Sequence, residues 1–217
     1  MNSLKKLRTI CIRNDVDWYF AEAIYSAYFP LLENAHRIHG DEFNRLFWIS
    51  REGHNKRMFN AQRILQLMER IRELTSEFTI EERAALSLHL EYLVPIEGMI
   101  NPELGFLIWT LIANGAEFNI RNRNIKTYEG ITRTTLGQKI RFLKDGSFFP
   151  IIYENIDVDL RNSVGHMFYE ISDSGEISVE GRRIEYERVY RNMREIGFSL
   201  NLVMVVFYER FRPRQII

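Results

Sequence analysis

Asn101-Pro102-Glu103-Leu104-Gly105-Phe106-Leu107-Ile108-Trp109-Thr110-Leu111-Ile112-Ala113 is the stretch that decides how this chain folds. Asparagine followed by proline reads as a helix start. The amide side chain suits a cap, and the N–H that proline lacks has no partner at the first helical position anyway. Beyond it the pattern is apolar nearly all round, at Leu104, Leu107, Ile108, Leu111 and Ile112. A helix with no polar face has to be enclosed, so the spacing predicts a central, buried element inside a layer of partners.

The flanking sequence supplies those partners. Phe20, Ile24, Ala27, Leu31, Ala35 and Ile38 recur at helical spacing up to Gly40, with a kink or break expected at Pro30. A second helix is expected over Asn55 to Leu74, with Met58, Ala61, Leu65, Met68 and Ile71 on its buried stripe. Thr79 and Glu82 form a capping box opening a helix through Leu86, Leu90 and Leu93, which Pro95 would stop. Downstream, Asn119 to Thr127 is polar and reads as a linker or functional loop. Leu136, Ile140 and Leu143 mark a short helix ended by Gly146. A further helix from Pro150 would carry Ile152, Ile156, Leu160, Val164 and Met167 inward. Phe168 to Tyr186 alternates around Asp173-Ser174-Gly175, the pattern of a hairpin. Val189, Met193, Ile196, Leu200, Val203, Phe207 and Phe211 form the last stripe. The expected fold is therefore all-α, a helical bundle with a short β-hairpin between the last two helices. Residues 1–127 form an N-terminal helical region expected to share the core with residues 128–217.

Composition bounds the function. Lys+Arg and Asp+Glu are both 29 in 217 residues, and this zero balance argues against long-range, sequence-blind capture of nucleic acid while leaving room for a local basic cleft. Cys11 is the only cysteine, which excludes an intramolecular disulfide and a thiolate metal cage and fits a reducing, cytoplasmic setting. The apolar runs Phe106 to Ala113 and Leu200 to Tyr208 are too short to span a membrane, and the N-terminus lacks the apolar core of a signal peptide.

The chemistry concentrates in Leu160-Arg161-Asn162-Ser163-Val164-Gly165-His166. A permanent cation, an amide and an imidazole fall within six residues. Arg161 offers a planar fork of donors to phosphoryl oxygens, and His166 is the side chain suited to moving protons near neutral pH. Asn162 and His166, four apart, share a helix face. Arg161 and His166 are five apart, roughly 140° around an α-helix, so the arginine would have to bend round or reach across to a second subunit. Gly165 leaves room for a ribose-phosphate or a partner helix.

With its flanks, this string resembles the HEPN superfamily of helical ribonuclease-like domains. The resemblance covers roughly residues 128–212. It rests on the Arg-x4-His spacing with Asn after Arg, on Thr135-Leu136-Gly137-Gln138 opening an earlier helix, and on the hairpin and closing helix after the histidine. What it implies is a metal-independent endoribonuclease that leaves a 2′,3′-cyclic phosphate, needs no cofactor, and dimerises so that two motifs face one cleft. Such domains occur in toxin–antitoxin pairs and antiviral defence, which would add an antitoxin or regulatory protein to RNA as a partner. The implied catalytic residues are Arg161, Asn162 and His166. Some members carry tyrosine two places after the histidine; here that place is Phe168, with Tyr169 one further on. Other members are non-catalytic modules that bind nucleotide, RNA or protein, and that is the alternative reading.

Each residue also has a plainer role. A histidine ending a helix is favoured by the dipole and caps carbonyls, and an arginine one turn after Asp157 suits an ordinary ion pair. Asp157 would pair with Arg161 and pre-orient it. Glu97 would either hold Arg161 as a buried acid or lie exposed in a turn beside Pro95 and Gly98, and the flanking residues favour the turn. Arg121, Arg123 and Lys126 are candidate RNA-phosphate contacts or a solvated loop, and Arg182, Arg183, Arg210, Arg212 and Arg214 share that ambiguity. His36 and His39, three apart, lack a third ligand, so no metal is expected. A third possibility is a regulatory protein whose first 127 residues bind a ligand, although no recognisable site occurs there.

Overall fold

The computed structural model describes residues 3–74, 78–120 and 123–211. Helix α1 (Ser3–Arg13) buries Leu7 and Cys11. Helix α2 (Trp18–Leu74) runs for 57 residues, about 85 Å if straight. It continues past Gly40 and past Pro30, and its one non-helical residue is His39 (φ −114°, ψ 18°). The kink is thus at His39, and the expected stop at Gly40 is only a bend. The reason lies beyond it, where Phe43, Leu46 and Phe47 restore an apolar stripe that buries itself in the core. The His39 ring anchors the bend through Nε2, 3.2 Å from the Ala113 carbonyl. The side chains of Ala61, Leu65, Met68 and Ile71, expected on the buried stripe, lie outside the described residues.

Residues 80–113 form one helical run: α3 (Ile80–Ser87), two π-turns (Leu88–Leu93 and Ile96–Ile100), and α4 (Asn101–Ala113). The Thr79–Glu82 capping box opens it as expected. Pro95 does not end it, and Asn101 does not cap it, because Ile100 already has helical backbone angles. In the π-turns the Val94 and Asn101 N–H groups bond carbonyls five residues back, at His89 and Ile96. These wider turns accommodate a proline ring inside the run. They also serve packing. Leu88, Tyr92, Ile96, Ile100 and Leu104 are all fully buried at intervals of four. An α-helix would swing that row by about 40° per step, and extra residues per turn reduce the drift.

α4 is the central element anticipated from its apolar pattern, buried from Glu103 to Leu111. Phe106 meets Phe47 of α2 at a ring separation of 6.0 Å, and Phe43 meets Phe207 of the last helix, α9 (Tyr186–Phe211), at 5.4 Å. One continuous cluster of buried side chains draws on residues either side of position 127, Leu107 and Leu143 among them. The polar stretch after α4 holds a two-stranded ribbon, β1 (Asn119–Ile120) with β2 (Arg123–Asn124). The short α5 (Tyr128–Thr132) and α6 (Leu136–Asp145) follow, α6 opened by the Thr135–Gln138 capping box.

The helix expected from Pro150 is two helices, α7 (Pro150–Tyr153) and α8 (Val158–His166). Asp157, with extended backbone, restarts the chain as the N-cap of α8. After α8 come β3 (Glu170–Ile171), β4 (Ile177–Val179) and β5 (Arg182–Ile184), an antiparallel sheet in the order β3-β4-β5. The hairpin foreseen between the last two helices is β3-β4. The third strand is added by a two-residue turn at Glu180 and Gly181, whose φ values of 49° and 75° suit the twist of a tight hairpin.

Candidate functional site

The Arg-Asn-Ser-Val-Gly-His string occupies the last turns of α8 and closes it at His166. Leu160 and Val164 pin the helix to the core. This one face of burial leaves Asn162, Gly165 and His166 in solvent and Arg161 partly covered. Met167 then turns the chain with a left-handed backbone (φ 59°), and its side chain is 74% exposed instead of pointing inward. With the helix ended at His166, position 167 no longer lies on the buried stripe. Phe168 beside it is 75% exposed, its ring 6.3 Å from the His166 ring.

Arg161 is held from below. Its Nε donates to Oε1 of Glu97, and its Nη1 donates to Oδ1 of Asn162 at 2.9 Å. Nη2 takes part in none of the hydrogen bonds among the described residues. Glu97 therefore sits on the second π-turn as the acid that fixes Arg161, not in an exposed turn; the helix that passes through Pro95 carries it there. Its other oxygen, Oε2, accepts from the Asn101 amide at 3.0 Å. Asn101 in turn receives Lys139 Nζ on Oδ1 at 2.7 Å and on its carbonyl at 2.9 Å. A polar chain Lys139–Asn101–Glu97–Arg161–Asn162 thus runs from α6 under α4 to the surface of α8.

Asp157 has a different task from the one expected of it. Its Oδ1 accepts from the Leu160 N–H at 2.8 Å, capping α8, and its carboxylate pairs with Arg182 of β5 at 2.9 Å rather than with Arg161. Starting a helix after the break at Asn155 requires a cap, and the Asp157 carboxylate is taken up by the first-turn N–H of Leu160 on one side and by Arg182 on the other. The Tyr92 hydroxyl donates to the Asp157 carbonyl at 2.8 Å. Burial, followed by the nearby Asp157 charge, pushes the Tyr92 phenol far above its ordinary value, so it stays a donor.

Tyr169 is turned toward His89 of the first π-turn, its hydroxyl 3.0 Å from Nε2. Of the basic candidates, Arg123 is exposed on β2, and Arg121, Arg212 and Arg214 lie outside the described residues. Lys126 lines a separate cleft beside Lys139. Arg183 pairs with Glu176, and Arg210 pairs with Glu33 while lying over Phe29. His36 is enclosed by Phe43, Phe207 and Phe211. Among the described residues no group of three or more His, Cys, Asp or Glu side chains is placed to hold a metal, and no helix is long and apolar enough to cross a membrane.

Sequence reasoning did not find Lys139, Asn101 or His89 as parts of polar contacts, nor the buried pair His54 and Glu103 with the partly buried Arg57. In that trio Oε1 of Glu103 lies 2.8 Å from His54 Nδ1 and 3.3 Å from Arg57 Nη2. A signal existed for two of them. Lys139 lies three after Leu136 and four before Leu143, on the apolar stripe of α6, and Glu103 interrupts the apolar helix α4.

Comparison with family models, with curated proteins and with solved structures gives no match for this chain.

Proposed function

We propose that the chain is a metal-independent endoribonuclease of HEPN type, cleaving RNA through attack of the 2′-OH and leaving a 2′,3′-cyclic phosphate. The observation that supports this most is that His166 stands in solvent at the end of α8 while Arg161, on the same helix, is oriented by a carboxylate. A metal-free route needs a base for the 2′-hydroxyl proton, an acid for the 5′-oxygen leaving group, and a cation for the extra charge on phosphorus. His166 serves as base or acid, and Nη2 of Arg161, the nitrogen left without a partner among the described residues, meets a phosphoryl oxygen. Asn162 fixes the guanidinium plane from beside it. Because one motif brings one exposed imidazole and two proton transfers are required, a symmetric homodimer with two facing His166 side chains completes the site. The exposed Met167 and Phe168 give the rim an apolar contact for a second copy or for an antitoxin-like regulator.

One observation favours a second reading. Arg161 already has a carboxylate partner, as a structural arginine would, which suits a non-catalytic module that binds RNA, nucleotide or protein.

Cleavage of RNA in EDTA, with 2′,3′-cyclic phosphate ends detected on the products, tests the proposal. His166→Ala and Arg161→Ala should each abolish cleavage while the circular-dichroism spectrum and Tm stay close to the parent's. Full activity in either variant removes the catalytic assignment.

A further inference from the structure

Between α2, the start of α4, α5 and α6 lies an open cleft of about 800 Å³. Four cations line it, Arg45, Arg57, Lys126 and Lys139, against two carboxylates, Glu42 and Glu129. Glu129 is already engaged by Arg133 outside the cleft. Two of the cations are built into the protein. Lys139 is 1% exposed, and among the described residues its ammonium donates to the two neutral oxygens of Asn101 alone, which leaves one of its three donors without a partner there. Arg57 is held by Glu103 through Nη2, while its Nε is buried with no partner among the described residues.

A buried cation is costly unless a counter-charge compensates it. Among the described residues no carboxylate contacts Lys139, and Glu97 is linked to it through Asn101. The strain is visible in its chemistry, since burial pulls the ammonium down to about 8. Lys139, with neutral ligands alone among the described residues, is a cation without its anion, and Arg57, already paired with Glu103, adds positive charge to the lining of the same cleft. Leu46, Ile49 and Tyr128 add apolar and aromatic surface to the same lining. The volume is that of an ordinary small-molecule site.

We infer that this cleft binds a small phosphate-bearing molecule of nucleotide size, with its phosphate between Lys139 and Arg57 and its body on Tyr128 and Ile49. Arg45 and Lys126, exposed at the mouth, attract the anion and touch its outer oxygens. The inference does not depend on RNA cleavage, and it concerns residues outside the α8 motif.

Calorimetric titration of the full chain with ADP, inorganic phosphate and adenosine tests it. ADP should bind saturably and raise Tm, and adenosine at equal concentration should do neither. Lys139→Met should weaken ADP binding at least tenfold. Because that variant alters the core, the exposed pair Arg45→Ala and Lys126→Ala is the second arm; together they should weaken binding about tenfold, the loss of 1.4 kcal/mol, with Tm unchanged in the absence of ligand. At pH 8 binding should take up protons, read from the dependence of the heat on buffer ionisation, as the anion recharges Lys139. No binding of ADP at millimolar concentration, equal binding of adenosine, or indifference to the mouth pair overturns the inference. Inorganic phosphate binding as tightly as ADP overturns the nucleotide-sized ligand. None of these outcomes alters the result of the cleavage assay, so the two readings fail separately.

Discussion

Glu97 on the second π-turn accepts a hydrogen bond from Nε of Arg161, 64 residues further along the chain. This contact joins the central helical run to the motif helix and fixes one edge of the guanidinium, while Nη1 is taken up by Asn162 and Nη2 has no partner among the described residues.

Glu97→Gln keeps the volume and an acceptor but removes the charge that orients Arg161. A charge-assisted hydrogen bond contributes about 1.5–3 kcal/mol, so kcat/KM for RNA cleavage should fall roughly 10- to 100-fold, since 1.36 kcal/mol is tenfold in rate. The pair is partly buried, and thermal unfolding should shift by a few degrees at most. An unchanged kcat/KM would mean that Glu97 leaves the guanidinium free to find its own place.

Gly165 separates two consequences of one methyl group. An added Cβ would meet nothing within 4 Å, and the residue lies inside α8. Gly165→Ala should therefore stabilise the isolated chain by about 0.5–1 kcal/mol through helix propensity. If a ribose-phosphate or a second copy approaches here, the same change should lower cleavage or weaken dimerisation, measured by sedimentation alongside Tm. A stabilised variant with full activity and unchanged association would show that neither comes within a methyl group of α8.

Asp157 supports the motif indirectly. Asp157→Ala removes the N-cap of α8 and the partner of Arg182, so stability should drop by about 1–2 kcal/mol, seen as a lower denaturation midpoint. Amide exchange in α8 should quicken with it. Asp157→Asn keeps a capping oxygen and loses only the ion pair with the half-exposed Arg182, a loss of under about 1 kcal/mol. Equal losses in the two variants would assign the effect to the ion pair instead of the cap.

The helical architecture was legible because hydrophobic periodicity survives in a single sequence. The stripes of α4, α6 and α9 and the two capping boxes at Thr79 and Thr135 are local patterns. What stayed hidden was tertiary. Pro95 and Gly40 carry the usual marks of helix ends, yet the burial of Ile96, Phe43 and Phe47 outweighs them and the helices continue. Asp157 is four residues from Arg161 yet pairs with Arg182, which the β-sheet brings from 25 residues away, and sequence spacing does not encode that. Arg161 and His166 are candidates that a local pattern can offer, five residues apart in one string. Glu97 reaches Arg161, with Asn101 and Lys139 behind it, from other helices and through the fold alone.

Lys139 makes stability depend on pH in a direction opposite to most lysines that gain a carboxylate partner. Its ammonium titrates at about 8 in the folded chain, against 10.5 for an ordinary lysine. Below pH 8 both states carry the proton, and the folded state bears the full cost of a buried charge. Between pH 8 and 10.5 the folded lysine has lost its proton while the unfolded one keeps it, so the unfolded state binds more protons and stability rises with pH. The 2.5-unit difference corresponds to a gain of about 3 kcal/mol across that window at 1.36 kcal/mol per unit. Because the tyrosines also titrate near its upper end, the quantity to measure is the difference between wild type and Lys139→Met in urea unfolding at pH 7, 8, 9 and 10. Wild type should gain on the variant progressively above pH 8 and run parallel to it below. Parallel behaviour throughout would mean that the ammonium stays charged in the folded protein, with an anion or water supplying the partner Asn101 does not.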